Sequence, residues 1–169
     1  ATTGVLYQSD FDFKKVEKLY EGKKQSMGSL LLHEGVLYWG DGLHGDRETT
    51  LHIYDLKNRK LLKDLSLKGH IERAPFASNS QIVVPLGPEG IMSLDVKTMK
   101  TKWHTQKHGG KDLHIDSNIV KDGSEICATT VYAVKGVVCF DESTGKETSF
   151  GELKHDPKSE ITLHDHQVV

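Results

Sequence analysis

The sequence predicts an all-β protein made of β-propeller blades of four antiparallel strands, with about three complete blades and a partial blade at each end. Three observations carry this expectation. Short apolar runs alternate with clusters of Gly, Asn, Asp and Lys, the pattern of strands and turns rather than of helices. A strand that ends in Asp and runs into a turn recurs at Asp55, Asp95 and Asp141. The copies stand 40 and 46 residues apart, the size of a four-stranded blade.

The elements follow in order along the chain. Residues 1–23 form a partial blade, with runs at 5–7 and 16–20 as its third and fourth strands. A weak helical pattern over 11–19 is the alternative to the second of these. The blade 24–68 has candidate strands at 29–33, 36–40, 51–56 and 60–67. The blade 69–110 has them at 74–78, 81–85, 90–96 and 101–105. The blade 111–154 has them at 117–120, 125–130, 136–141 and 147–152. Residues 155–169 read as the start of a further blade.

Each Asp that closes a third strand can accept backbone N–H bonds in the turn after it. Thr144-Gly145-Lys146 places Gly where the chain needs positive φ. Arg59 and Met99 stand in the matching places of the other two copies, so the three turns need not share one conformation. Pro75 and Pro85 fall at strand ends, where a missing N–H is tolerated.

Three blades leave open sheet edges, because a closed propeller takes four to eight. Such edges pair readily with another chain. The chain is therefore one part of a larger protein, or a second copy or protein partner completes the ring, or its own ends close a four-bladed ring.

Composition narrows the function. A formal charge of -2 supplies no basic field for nucleic acid. No apolar run reaches the roughly 20 residues of a transmembrane segment, and no signal peptide is evident. A turn near Ala133 sets Cys127 opposite Cys139 on neighbouring strands. Two small buried thiols or a cross-strand disulfide both satisfy that placement.

Particular segments resemble a known family. Gly35-Val36-Leu37-Tyr38-Trp39-Gly40-Asp41-Gly42-Leu43-His44 is similar to the strand and loop V-Y-x-G-x-G-L-H of bacterial propellers with pyrroloquinoline-quinone-like repeats. Gly69-His70-Ile71-Glu72-Arg73-Ala74-Pro75 and Leu113-His114-Ile115-Asp116-Ser117-Asn118 resemble the entry segments of such blades. The family holds an outer-membrane assembly lipoprotein that binds a barrel-assembly partner, and also quinone-dependent dehydrogenases. The resemblance implies an exported protein, periplasmic or extracellular, and does not imply the quinone cofactor. The dehydrogenase pattern is incomplete. Trp103 stands near a Trp-docking position without the following Gly, and neither an adjacent Cys pair nor a Ca²⁺ site with a catalytic Asp can be mapped. Propellers are rigid with freely varying loops, so the leading reading is a non-enzymatic module that binds a protein partner or small ligand through one face. The alternative is a quinone- or metal-binding oxidoreductase fragment.

Ten histidines are many for 169 residues, and several recur in register. His70-Ile71-Glu72, His114-Ile115-Asp116 and His164-Asp165-His166 each stand at the entry to a blade, 44 and 50 residues apart. The first strand of a blade lines the central channel, so these positions are expected to converge at one mouth. Lys24-Gln25-Ser26 holds the equivalent place in the earlier blade. The candidate ligand-binding set is His44, His70, Glu72, His114, Asp116, His164 and His166. A divalent metal would take His70, His114 and His164, because imidazole and carboxylate suit Zn²⁺ and similar ions. The competing reading is that these groups bond one another and the backbone to satisfy strand ends. His33, His52, His104, His108 and His155 read as surface or packing residues.

Other motifs carry less. Asp41 and Asp46 lack the spacing of an EF-hand and read as part of a joining loop. Ser117 near His114 comes without a nucleophile elbow. Residues 86–90 read as a turn rather than a phosphate loop.

Overall fold

The computed structural model describes residues 4–78, 80–157 and 160–168. Eighteen strands and no helix occur among them, so no helix there is long and apolar enough to cross a membrane. Strands β1 (Val5–Ser9) and β2 (Val16–Glu21) form a hairpin. Three four-stranded sheets follow. The first comprises β3 (Leu31–His33), β4 (Val36–Gly40), β5 (Glu48–Asp55) and β6 (Lys60–Lys68). The second comprises β7 (Phe76–Ser78), β8 (Gln81–Pro85), β9 (Ile91–Asp95) and β10 (Thr101–Thr105). A small hairpin, β11 (Lys107–His108) with β12 (Lys111–Asp112), leads to the third. That sheet comprises β13 (Val120–Asp122), β14 (Glu125–Thr130), β15 (Gly136–Asp141) and β16 (Glu147–Glu152). The chain then forms the hairpin β17 (Leu163–His164) and β18 (Gln167–Val168).

Every sheet is an antiparallel meander in chain order. The outermost strand joins with a register shift each time, between Ile53 and Tyr54, Thr101 and Trp103, and Cys139 and Phe140. Such bulges add local twist.

The core lies between sheets rather than inside any one of them. Strand β8 shows why. It is buried on both faces, and alternate side chains enter different layers. Ile82 and Val84 pack with Tyr38, Leu51 and Ile53 of the first sheet. Val83 packs with Ile126, Val138 and Phe140 of the third. A third layer joins Leu6 and Tyr20 of the first hairpin to Trp39 and Tyr54. A fourth joins Cys127 and Cys139 to Ile161.

The Asp-ended turns are alike. Asp55, Asp95 and Asp141 each accept the backbone N–H of the residue three further on, at 2.8 to 2.9 Å. All three carboxyls lie below their ordinary pKa: these backbone bonds lead at Asp55 and Asp95, and the Ser143 and Thr144 hydroxyls lead at Asp141. Arg59, Met99 and Gly145 all have positive φ, +52°, +55° and +68°. The three turns, left open by the sequence, thus share one conformation: the repeated hydrogen-bond pattern holds Arg59 and Met99 in the left-handed region despite their Cβ atoms.

Trp103 docks across the second layer. Its indole N–H donates to the Glu142 carbonyl at 2.9 Å. A Cβ on Gly145 would lie 2.4 Å from its ring. The Gly that the docking requires thus comes from the following sheet, not from the residues after Trp103.

Several boundaries differ from expectation. The 11–19 helical pattern yields to strand β2, which pairs with β1. The strand expected at 117–120 occupies Val120–Asp122: the Asn118 side chain bonds the Ile161 backbone outside the sheet, and Ser117 meets Thr129 of β14 through its side chain rather than in the ladder. The β11–β12 hairpin has no counterpart in the expected strands. Cys127 and Cys139 are directly paired across β14 and β15 and form a disulfide, which selects one of the two placements left open above.

Candidate functional site

The connections that enter the second and third sheets carry the repeated His-Ile-acid triplets. In each, the Ile is the anchor. Ile71 and Ile115 are fully buried in successive inter-sheet layers. Backbone bonds between Gly87 and Ile115 run in both directions and fix one triplet against the turn that precedes it. The flanking His and acid, held on either side of a buried Ile, must face the opposite way.

Five of the singled-out residues meet there. The Asp116 carboxylate accepts from His70 Nε2 at 2.9 Å and from His114 Nε2 at 2.7 Å. The Glu72 carboxylate bonds His44 Nδ1 at 2.8 Å and lies 3.8 Å from His70 Nε2. The rings of His44, His70 and His114 stand 5.1 to 6.2 Å apart, centre to centre. His114 meets the edge of Tyr132 at 4.7 Å.

His70 is the hub. It is 1% exposed, and its Nδ1 has no hydrogen-bond partner. Gly87 makes this position tolerable: at φ +56°, its Cβ would lie 2.3 Å from His70 Nε2, so only glycine lets the turn close over the ring. Burial disfavours the charged imidazole, but the Asp116 hydrogen bond and charge, the Glu72 charge and the Asp46 carbonyl outweigh it, and the His70 pKa is raised. Burial likewise opposes the Asp116 carboxylate, and the two imidazole hydrogen bonds overcome that and hold its pKa far below the usual range.

A cavity of about 300 Å³ opens beside the cluster. His44, Glu72 and Asp116 contribute to its wall, with Arg73, Thr129 and Tyr132. Two sets of three donors have ligating atoms within 4.8 Å of one another: His44, His70 and Glu72, and His70, His114 and Asp116. Either can hold one divalent ion.

His164 and His166 do not join them. His164 is exposed beside Asp165, and His166 pairs with Asp122 of β13 at 2.8 Å. The register explains the difference. The buried Ile that follows Ile71 and Ile115 is Ile161, 46 residues after Ile115. Glu160 thus takes the place expected for His164, and lies 3.6 Å from Arg73. A search anchored on the Ile would have found this.

His52 was expected at the surface or in packing and is the centre of a second polar cluster. Its Nδ1 bonds Asp64 at 2.7 Å, and its Nε2 lies 3.4 Å from Asp41. The ring stacks on Trp39 and meets Tyr20 of the first hairpin. This cluster lies within the layer between the hairpin and the first sheet. Asp41 also accepts the Thr50 N–H, and Asp46 the Leu43 N–H, so the loop carboxylates serve the backbone. Ser117 Oγ accepts the Thr129 N–H at 2.8 Å and donates to the Asn118 carbonyl at 3.0 Å, so its hydroxyl is not paired with His114.

No family model and no curated protein matches this sequence. Solved structures do. BamB from Moraxella catarrhalis superposes with a TM-score of 0.70 at 16% identity, over 88% of this chain and 44% of that one. A europium-containing methanol dehydrogenase gives 0.61 at 13% identity, over 78% and 25%. The quinohemoprotein alcohol dehydrogenase from Comamonas testosteroni gives 0.62 at 14% identity, over 76% and 21%. The chain has the fold of a partial β-propeller with pyrroloquinoline-quinone-like repeats, and spans less than half the length of each of these structures.

Proposed function

We propose that this propeller module is non-enzymatic and binds a protein partner or small ligand through the face that carries His44, His70, Glu72, His114 and Asp116. The observation that supports this reading is the convergence of two repeated triplets and one loop histidine on a single cavity. Rigid sheets hold such a surface, while loops set what it recognises. Ser117, beside His114 in the sequence, is committed to backbone through its hydroxyl.

An exported setting belongs to the same proposal. The Cys127–Cys139 disulfide persists in oxidising compartments. The likeness to BamB favours a protein as the partner. The likeness to two dehydrogenases keeps quinone- or metal-dependent oxidoreduction as the second reading.

A photo-crosslinker placed at the exposed Tyr132 tests the choice. In envelope extract with chelator present, a discrete adduct is expected from Tyr132 and not from the turn at Asn58. No adduct, together with turnover of an alcohol or sugar by the quinone-supplied chain, would favour the second reading.

A further inference from the structure

We propose that the cluster is a transition-metal site in which His70 Nε2, His114 Nε2 and an Asp116 carboxylate oxygen bind one Zn²⁺-like ion, with a fourth position open to the cavity. This inference deepens the binding role proposed above and rests on the same surface.

The donor set decides the class of ion. Two imidazole nitrogens and one carboxylate oxygen suit Zn²⁺, Ni²⁺ or Cu²⁺, whereas Ca²⁺ and Mg²⁺ take all-oxygen sets. Three protein ligands and an open fourth position is the arrangement of sites that also bind a water or a ligand. The cavity of about 300 Å³ supplies that opening.

The geometry is close to what an ion needs. Bonds of about 2.1 Å in a tetrahedron separate neighbouring ligand atoms by about 3.4 Å. Here the imidazole nitrogens stand 2.7 and 2.9 Å from Asp116 oxygens. A modest opening admits the ion, and the carboxylate that now accepts two N–H bonds becomes a ligand. Asp116 lines the cavity and the partly exposed His114 meets the cavity-lining Tyr132, while His70 is fixed by burial and by Gly87.

A second feature agrees independently. When Nε2 binds a metal, a neutral imidazole carries its proton on Nδ1, which then wants a carbonyl acceptor. His70 Nδ1 is buried with no acceptor at full hydrogen-bond distance, and the Asp46 backbone, which already acts on this ring, is the acceptor it would take. An unused buried nitrogen is costly in a purely structural network, and metal ligation at the opposite nitrogen gives it a role.

The two possible donor sets share His70, so they hold one ion between them. The His70, His114 and Asp116 set is the more buried, and it joins the two triplets. His44 and Glu72 then lie outside it as neighbours.

The test is calorimetric titration of the metal-stripped full chain with Zn²⁺, with Ca²⁺ and Mg²⁺ as controls. One Zn²⁺ per chain is expected, with no binding of the controls. His114→Ala and His114→Gln are each expected to weaken binding at least about 100-fold, since loss of even an outer partner costs 10- to 100-fold. His44→Ala should weaken it by less than that, and His164→Ala should leave it unchanged. Retention of the wild-type thermal transition by His114→Gln separates ligand loss from unfolding. Absence of Zn²⁺ binding, or loss in His44→Ala with retention in His114→Gln, overturns the proposal. Zn²⁺ binding is read without a partner and crosslinking is read with chelator, so failure of one does not entail failure of the other.

Discussion

Asp116 is the residue on which the cluster turns, because one carboxylate satisfies two imidazoles. Its depressed pKa contributes stability above the unfolded value near 3.8, lost as pH falls through the folded value. The raised pKa of His70 works the other way: its contribution is complete below about 6.5 and is lost as pH rises through the folded value. The cluster therefore stabilises most between about pH 4 and 6.5. Asp116→Asn is expected to cost about 2 kcal/mol in that window, from lost charge-assisted hydrogen bonds. The cost should shrink as pH rises toward 8. Thermal unfolding of both proteins across pH 4 to 8 measures this, and a difference independent of pH would contradict it.

At the scale of the element, the Asp turn and its left-handed residue repeat three times with different side chains. Gly145 abuts the Trp103 indole. Gly145→Ala should therefore destabilise the chain by more than about 2 kcal/mol, adding a clash to the φ penalty. Gly123→Ala offers the contrast, because its φ is +55° and nothing lies within 4 Å of the added Cβ. Only the backbone term of about 1 kcal/mol is expected there. Chemical denaturation of the two variants compares them directly. The Cys127–Cys139 bridge belongs to the same scale. It closes a hairpin of sequence separation 12, so reduction should lower unfolding free energy by about 2 to 3 kcal/mol. A denaturation midpoint unaffected by reductant would show that β14 and β15 hold their register without it.

For the whole molecule, the layers between sheets carry the stability, and the terminal layers are thin. At one end the layer rests on Leu6, Leu37, Trp39 and Tyr54. At the other it rests on Cys127, Cys139 and Ile161. Phe11 and Phe13 are exposed at the tip of the first hairpin. Thin end layers with open edges favour association. Light scattering is expected to show a mass above the 18.9 kDa of one chain, falling toward it on dilution. A mass of one chain at all concentrations, with a cooperative unfolding transition, would show that these faces need no second copy.

The period of the Asp turns and the alternation of apolar residues were legible in the sequence because both are local. A turn needs its Asp at a given offset, and a buried strand needs its apolar run. These determined the four-stranded units, their antiparallel order and most strand positions, including the facing of Cys127 and Cys139. Which histidines meet was not local. His44 comes from a loop between β4 and β5, while Glu160 holds the position expected for His164 because Ile161 sets the register. Three-dimensional packing alone decided that His52 sits between Asp41 and Asp64, and that Gly145 receives Trp103 from the neighbouring sheet. The physical reason is that a repeat prescribes where each unit's side chains point, whereas contacts between units depend on how the layers stack and on which buried residue anchors each entry.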